Sequence, residues 1–139
     1  MEQVRIFSDG ASRGNPGPTG IGFVIVSPEG ETLAEVKQYL GISTNNSAEY
    51  TALIRALETA LDLGARKVEI FSDSELLVRQ VLGQYQVRSP VLQPLHNRIL
   101  SLSKRFSEFR IQHVPRGKNK RADELANLAI EVALKGSHQ

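Results

Sequence analysis

Four acidic residues stand where their side chains could do chemistry. Ile6-Phe7-Ser8-Asp9 and Ile70-Phe71-Ser72-Asp73 are the same tetrapeptide, each running from an apolar, strand-like stretch into an aspartate. If the two stretches are parallel neighbours, both carboxylates emerge at one edge of a sheet, the edge where open α/β sheets bind ligands. Taken singly, Asp9 could begin a turn with Gly10, and Asp73 could cap a helix. Neither role accounts for the doubled context. Glu49 falls four residues before Leu53 and seven before Ala56, on the apolar, inward face of a helix. A glutamate seldom occupies such a face unpaired, although the helix dipole favours an acid in the first turn. Asp123 opens the last helix beside Glu124, where acids are common for the same dipole reason. Its weight comes from the other three and from the basic run before it.

Like charges held together are unfavourable unless a cation lies between them. The chain has no cysteine, so a metal here must take oxygen or imidazole ligands. Two aspartates at strand ends and a glutamate on a helix face form a hard-oxygen set, suited to magnesium or manganese rather than zinc. Arg116, Lys118, Lys120 and Arg121 crowd just ahead of Asp123, and the formal net charge is +2. Such a run alone describes a solvated loop as well as a nucleic-acid contact. An acidic cluster with a basic surround suggests phosphodiester chemistry. There, two ions about 4 Å apart activate water and stabilise the leaving oxygen.

These residues need a scaffold, and the periodicity supplies one. The pattern predicts strands at Val4 to Ser8, Ile21 to Val26, Thr32 to Leu40, Lys67 to Ser72 and Phe109 to Val114. A Gly/Pro-rich turn is expected from Gly10 to Gly20, and another from Pro28 to Gly30. Helices are expected at Asn46 to Leu63, closed by Gly64, and at Ser74 to Leu82, capped by Asp73 and stopped by Gly83. A third opens near Pro94 with Leu95, Ile99, Leu102 and Phe106 at helical spacing, and a fourth covers Ala122 to Leu134. Three antiparallel strands followed by alternating helices and parallel strands make an α/β fold with a mixed sheet flanked by helices. One domain, 1–135, is expected, with a short tail at 136–139.

The chain resembles the type 1 ribonuclease H family. The resemblance rests on Ser8-Asp9-Gly10 with Gly14-Asn15-Pro16-Gly17, on Thr44-Asn45-Asn46-Ser47-Ala48-Glu49, on Ser72-Asp73-Ser74, and on Ala122-Asp123-Glu124-Leu125-Ala126. It spans Asp9 to Ala126 in the family's order. It implies a ribonuclease H-like fold with five strands and a catalytic, metal-binding set of Asp9, Glu49, Asp73 and Asp123. It also implies two magnesium ions with substrate bound, manganese as a possible substitute, and cleavage of the RNA strand of an RNA–DNA hybrid to 5′-phosphate and 3′-hydroxyl ends. On that pattern Asp9 bridges the ions, Glu49 and Asp73 serve the leaving-group side, and Asp123 the water side. Ser12, Gly14 and Asn15 would lie along the minor groove on the RNA side, sensing the 2′-hydroxyl that separates RNA from DNA. Thr44 and Asn46, at a helix N-terminus, would take a DNA phosphate, with Asn45 in the minor groove.

The chain departs from the family in three places. Some members carry a long basic insertion where Gln80 to Leu95 is compact here. Some carry a loop histidine before the last aspartate, whereas no histidine lies between His113 and His138. Arg116 or Lys118 is the expected substitute, acting by charge because neither titrates near neutrality. Glu75 stands where many relatives have glutamine, which puts a base contact there in question. Tyr85 is expected as a core aromatic sooner than as a contact to deoxyribose. The absence of a signal-like N-terminus or a membrane-length apolar run suggests a cytoplasmic protein, a monomer with no membrane partner. Two other readings share these carboxylates: a DNA-cutting nuclease on the same fold, and a module that holds hybrids without cutting.

Overall fold

The computed structural model describes residues 2–136. Five strands form one sheet in the order β3-β2-β1-β4-β5. They are β1 (Gln3–Ser12), β2 (Gly17–Val26), β3 (Thr32–Ser43), β4 (Lys67–Ser72) and β5 (Glu108–His113). The first three pair antiparallel, while β4 joins β1, and β5 joins β4, in parallel. The helices are α1 (Asn45–Asp62), α2 (Glu75–Val81), α3 (Leu92–Ser103) and α4 (Lys120–Gly136), with a single 3-10 turn at Arg116–Lys118. The order and pairing are those expected from the sequence. No described helix is long and apolar enough to cross a membrane.

The main core lies between one face of the sheet and helices α1 and α3. Val4, Ile6, Val68 and Ile70 meet Leu53, Leu57, Ile99 and Leu102 there, all at most 2% exposed. Helix α4 packs across β1, β2 and β3. Its inward residues Ala122, Leu125, Ala126, Ala129 and Ile130 are buried. These side chains are mostly small, and they let the helix sit close to the sheet.

Several expectations are corrected. The first strand does not stop at Asp9 but continues to Ser12, and β2 begins at Gly17, so the turn is confined to Arg13–Pro16. Gly10 and Gly20, read as the ends of the turn, lie instead within strands, where they let helices approach closely. A Cβ on Gly10 would lie 2.5 Å from the backbone of Ala48 in α1, and one on Gly22 would lie 2.4 Å from the Ala122 carbonyl in α4. Side chains other than hydrogen would push these helices off the sheet. Asp73 is not the cap of α2, because Ser74 takes that place and its Oγ accepts from the Leu77 N–H at 3.2 Å. Phe106 is buried but lies beyond the end of α3. Tyr85 is not a core residue: it is 46% exposed, with the Arg79 guanidinium 5.4 Å from its ring centre. Of the expected tail, Gly136 closes α4, and 137–139 lie outside the described residues.

Candidate active site

The doubled tetrapeptide pairs with itself. Ile6 lies opposite Ile70, Phe7 opposite Phe71 and Ser8 opposite Ser72 in the parallel β1–β4 ladder. The two phenylalanine rings stack with centres 4.9 Å apart and planes within 17°. The same sequence in register brings both strands to their aspartates at the same level. Two helices then deliver the remaining acids, and each approaches over a glycine beside Asp9. Gly10, next in the chain, admits the turn of α1 that carries Glu49. Gly22, directly opposite Asp9 on β2, admits the start of α4 that carries Asp123.

One carboxylate oxygen each from Asp9, Glu49 and Asp73 lie within 4.8 Å of one another. Asp9 and Glu49 are buried, at 4% and 6% exposure. Burial first, and then the charge of Glu49, push the Asp9 carboxyl far above the usual carboxylate range. Burial likewise raises Glu49, partly offset by its bond to the Asp9 side chain. The Glu49 Oε2 atom is buried without a hydrogen-bond partner among the described residues. Arg116 is the cation that reaches in, its Nε 3.7 Å from Asp73 Oδ2, but its side chain is 84% exposed. This donor set, crowded hard oxygens with one of them unclaimed and, among the described residues, only an exposed arginine nearby, fits a hard divalent cation. Asp123 stands outside the compact trio. It lines the same cleft, of about 450 Å³, together with Asp9 and Glu49.

A family model described as "Reverse transcriptase-like" matches residues 7–129. The ribonuclease HI of Halobacterium salinarum is 45% identical over 131 residues, 94% of this chain and 66% of that protein. The N-terminal RNase H domain of a Mycobacterium tuberculosis protein, solved as a maltose-binding-protein fusion, superimposes with a TM-score of 0.94 at 40% identity, over 99% of each chain. The chain belongs to the ribonuclease H family. LC11-RNase H1, crystallised in complex with RNA/DNA hybrid, has a TM-score of 0.90 and 47% identity, covering 94% of this chain and 99% of that one. The chain spans 66% of the length of the halobacterial relative and 36% of that of the mycobacterial bifunctional protein.

Within this ribonuclease H fold, the expected substrate-facing residues divide into two groups. Ser12, Gly14, Asn15, Asn45 and Arg116 line the cleft with the acids. Asn15 is tied to α1, because its Oδ1 accepts from the Asn45 N–H at 3.1 Å. The Ser12 hydroxyl donates to the Gly14 carbonyl. Thr44 caps α1, its Oγ1 accepting from the Ser47 N–H, and Asn46 is exposed in the first turn. Lys118 is not in the cleft. It lines a separate groove with Phe7, Val24 and Arg121. Glu75 is turned to Arg79, 3.7 Å away along α2. His113 ends β5 and is exposed.

Sequence reasoning missed Asn119. It is 1% exposed, and its Nδ2 donates to the Ser8 carbonyl at 2.9 Å, one residue before Asp9. Its backbone carbonyl accepts from the Asp123 N–H at 3.1 Å. One residue thus fixes the Arg116 turn and the start of α4 to the strand that carries Asp9. An asparagine four residues before Asp123 is a visible signal, but it resembles any cap.

Proposed function

We propose that this chain is a metal-dependent endoribonuclease that hydrolyses the RNA strand of RNA–DNA hybrids, leaving 5′-phosphate and 3′-hydroxyl ends. The observation that carries the proposal is the convergence of Asp9, Glu49 and Asp73, from two strands and a helix, with a buried carboxylate oxygen left unclaimed. Asp9, Glu49, Asp73 and Asp123 would hold magnesium, or manganese in its place. Held there, such ions would supply activation of water and stabilisation of the leaving oxygen. Water would lose a proton to solvent as it bonds to phosphorus, and the 3′ oxygen, as its bond to phosphorus breaks, would take up a proton and leave as the hydroxyl.

The chain's other residues supply recognition. Ser12, Gly14 and Asn15 follow β1 directly from Asp9, so a sugar contacted there lies beside the acids. With Asn15 Oδ1 held by Asn45, its amide N–H groups remain to face a 2′-hydroxyl or a base edge. Thr44, Asn45 and Asn46 present the N-terminus of an 18-residue helix, which favours a DNA phosphate. Arg116, at the rim, is placed to meet phosphate charge, and Lys118 extends the basic surface beyond the cleft. The hybrid-bound LC11-RNase H1, at 47% identity, supports the same substrate class.

The test is cleavage of one labelled strand presented as RNA–DNA hybrid, as DNA duplex and as RNA duplex, with and without magnesium. Cutting confined to the RNA of the hybrid, and only with metal, is expected. Cutting of DNA would overturn the substrate assignment, and no cutting with any divalent metal would leave a binding module.

A further inference from the structure

Asp123 differs from the other three acids in standing on a helix at the rim, and its neighbours along α4 differ too. One turn later, Asn127 lines the same cleft. Its Nδ2 donates to the Asp123 carbonyl at 3.0 Å and lies 3.4 Å from Asp123 Oδ1. We propose that Asn127 is a positioning residue that holds the Asp123 carboxylate in the orientation from which it serves the cleft. The inference rests on the proposed nuclease function for its catalytic arm.

The Asp123 side chain contacts Asp9 across the rim, but with two free torsions and the crowded acids Glu49 and Asp73 beyond, it would otherwise turn outward to water. An amide anchored on the helix backbone by one N–H, with the other aimed at a carboxylate oxygen, opposes that rotation. The anchor bond fixes the nitrogen, so the second interaction costs little further ordering. The donor is also neutral. Arg116 on Asp73 makes an ion pair that a metal must displace, whereas an amide orients Asp123 and leaves its charge available. Lysine or arginine at 127 would compete with the metal, and aspartate or glutamate would add to the repulsion.

The experiment uses the full chain with Asn127→Leu, similar in size but without donors, and Asn127→Ala as a second variant should the first not fold. The Hα–Hβ couplings of Asp123 in NMR report its rotamer without metal or substrate. A single rotamer is expected in the parent and rotamer averaging in the variants. With hybrid and magnesium, kcat is expected to fall about tenfold, the scale of a lost hydrogen bond to a charged group, with KM unchanged. Asn127→Asp should lose more than either, because a second carboxylate beside Asp123 replaces the donor with a like charge. A single Asp123 rotamer retained in Asn127→Leu, or a loss confined to KM, would overturn the assignment. If the parent itself does not cut hybrids, the proposed function fails, and the couplings still decide the role of Asn127.

Discussion

Two acid clusters in this molecule treat the same side-chain chemistry in opposite ways. On the flank, Glu35 of β3 and Glu124 of α4 grip Arg121, whose guanidinium lies 2.6 and 2.8 Å from the two Glu35 oxygens and 3.1 Å from Glu124. The hydrogen bonds from Arg121 hold the Glu35 carboxyl below the usual range. At the carboxyl edge of the sheet, Asp9 and Glu49 are buried, crowded and raised. Cations are not in short supply, with 17 Lys and Arg against 15 Asp and Glu. The flank pairs its acids permanently. The edge leaves its buried acids without a basic partner, at a cost in stability, and that cost makes sense if the counter-ion arrives from solution. The exposed clasp, for all its good geometry, contributes little to stability.

The sharpest way to break this contrast is Asp9→Asn. Cleavage in magnesium is expected to fall at least about 100-fold, beyond the loss typical of groups that merely orient a metal ligand. The circular dichroism should be unchanged, and the melting temperature without metal should rise. Near-parental cleavage at ordinary magnesium would end the case for the site. Next comes Gly22→Ala, which forces a methyl against the Ala122 carbonyl. Urea denaturation should show a loss of about 1–3 kcal/mol, with lower activity as α4 and Asp123 shift. Parental values in both would mean that the close approach does not position the acid.

The pH dependence separates the clusters by sign. The folded-state values of Asp9 and Glu49 are raised, so their contribution to stability is full below the unfolded value of about 4 and is lost as pH rises through the raised range. In EDTA, the thermal advantage of Asp9→Asn should therefore be absent near pH 4 and grow towards pH 8. Glu35 is lowered, so its contribution is present above its unfolded value and is lost as pH falls through its folded one. The cost of Glu35→Gln should shrink on acidification. Melts showing the same trend for both substitutions would contradict the comparison.

A smaller effect is expected from neutralising Arg116, Lys118 and Lys120. Hybrid affinity should weaken and its salt dependence flatten, by roughly 0.9 in the log–log slope for each phosphate that is no longer neutralised. An unchanged slope in a binding titration would return the run to a solvated loop. Smallest of all, Arg121→Gln should lower the melting temperature slightly and leave the magnesium requirement of cleavage unaltered. A change in that requirement would show that the flank and the edge are coupled.

Much of this arrangement is legible in the sequence, for identifiable reasons. Ile6 to Asp9 and Ile70 to Asp73 announce a parallel pair because two strands of identical residues, each ending in an acid, match side by side in register. Glu49 is readable because helical periodicity reveals which face it occupies. The length of β1 is not readable. Gly10 looks like a turn residue until α1 is seen lying against it, and tertiary contact alone distinguishes the two uses of glycine. Ser74 and Asp73 are both good caps, and local chemistry does not choose between them. Asn119 acts through a contact set by the packing of α4, which no pattern of residue types encodes, whereas Asn127 stands an i, i+4 step from Asp123 along one helix, a spacing that is legible without the role. Tyr85 is misread because an aromatic near apolar residues suggests a core, whereas its loop lies outside α2.

The position of β1 in the sheet has a further consequence. It is the central strand, with β2 on one side and β4 on the other, and it carries Asp9. Central strands open only with the whole domain, so the amides around Asp9 belong to the slowest-exchanging class. Asp123 and Arg116 hang instead on the Asn119 turn and the first turn of α4, where a bond to the Ser8 carbonyl is the tether. The acids are thus split between a part tied into the sheet by strand pairing on both sides and a part tied to it by a helix end and one side-chain bond.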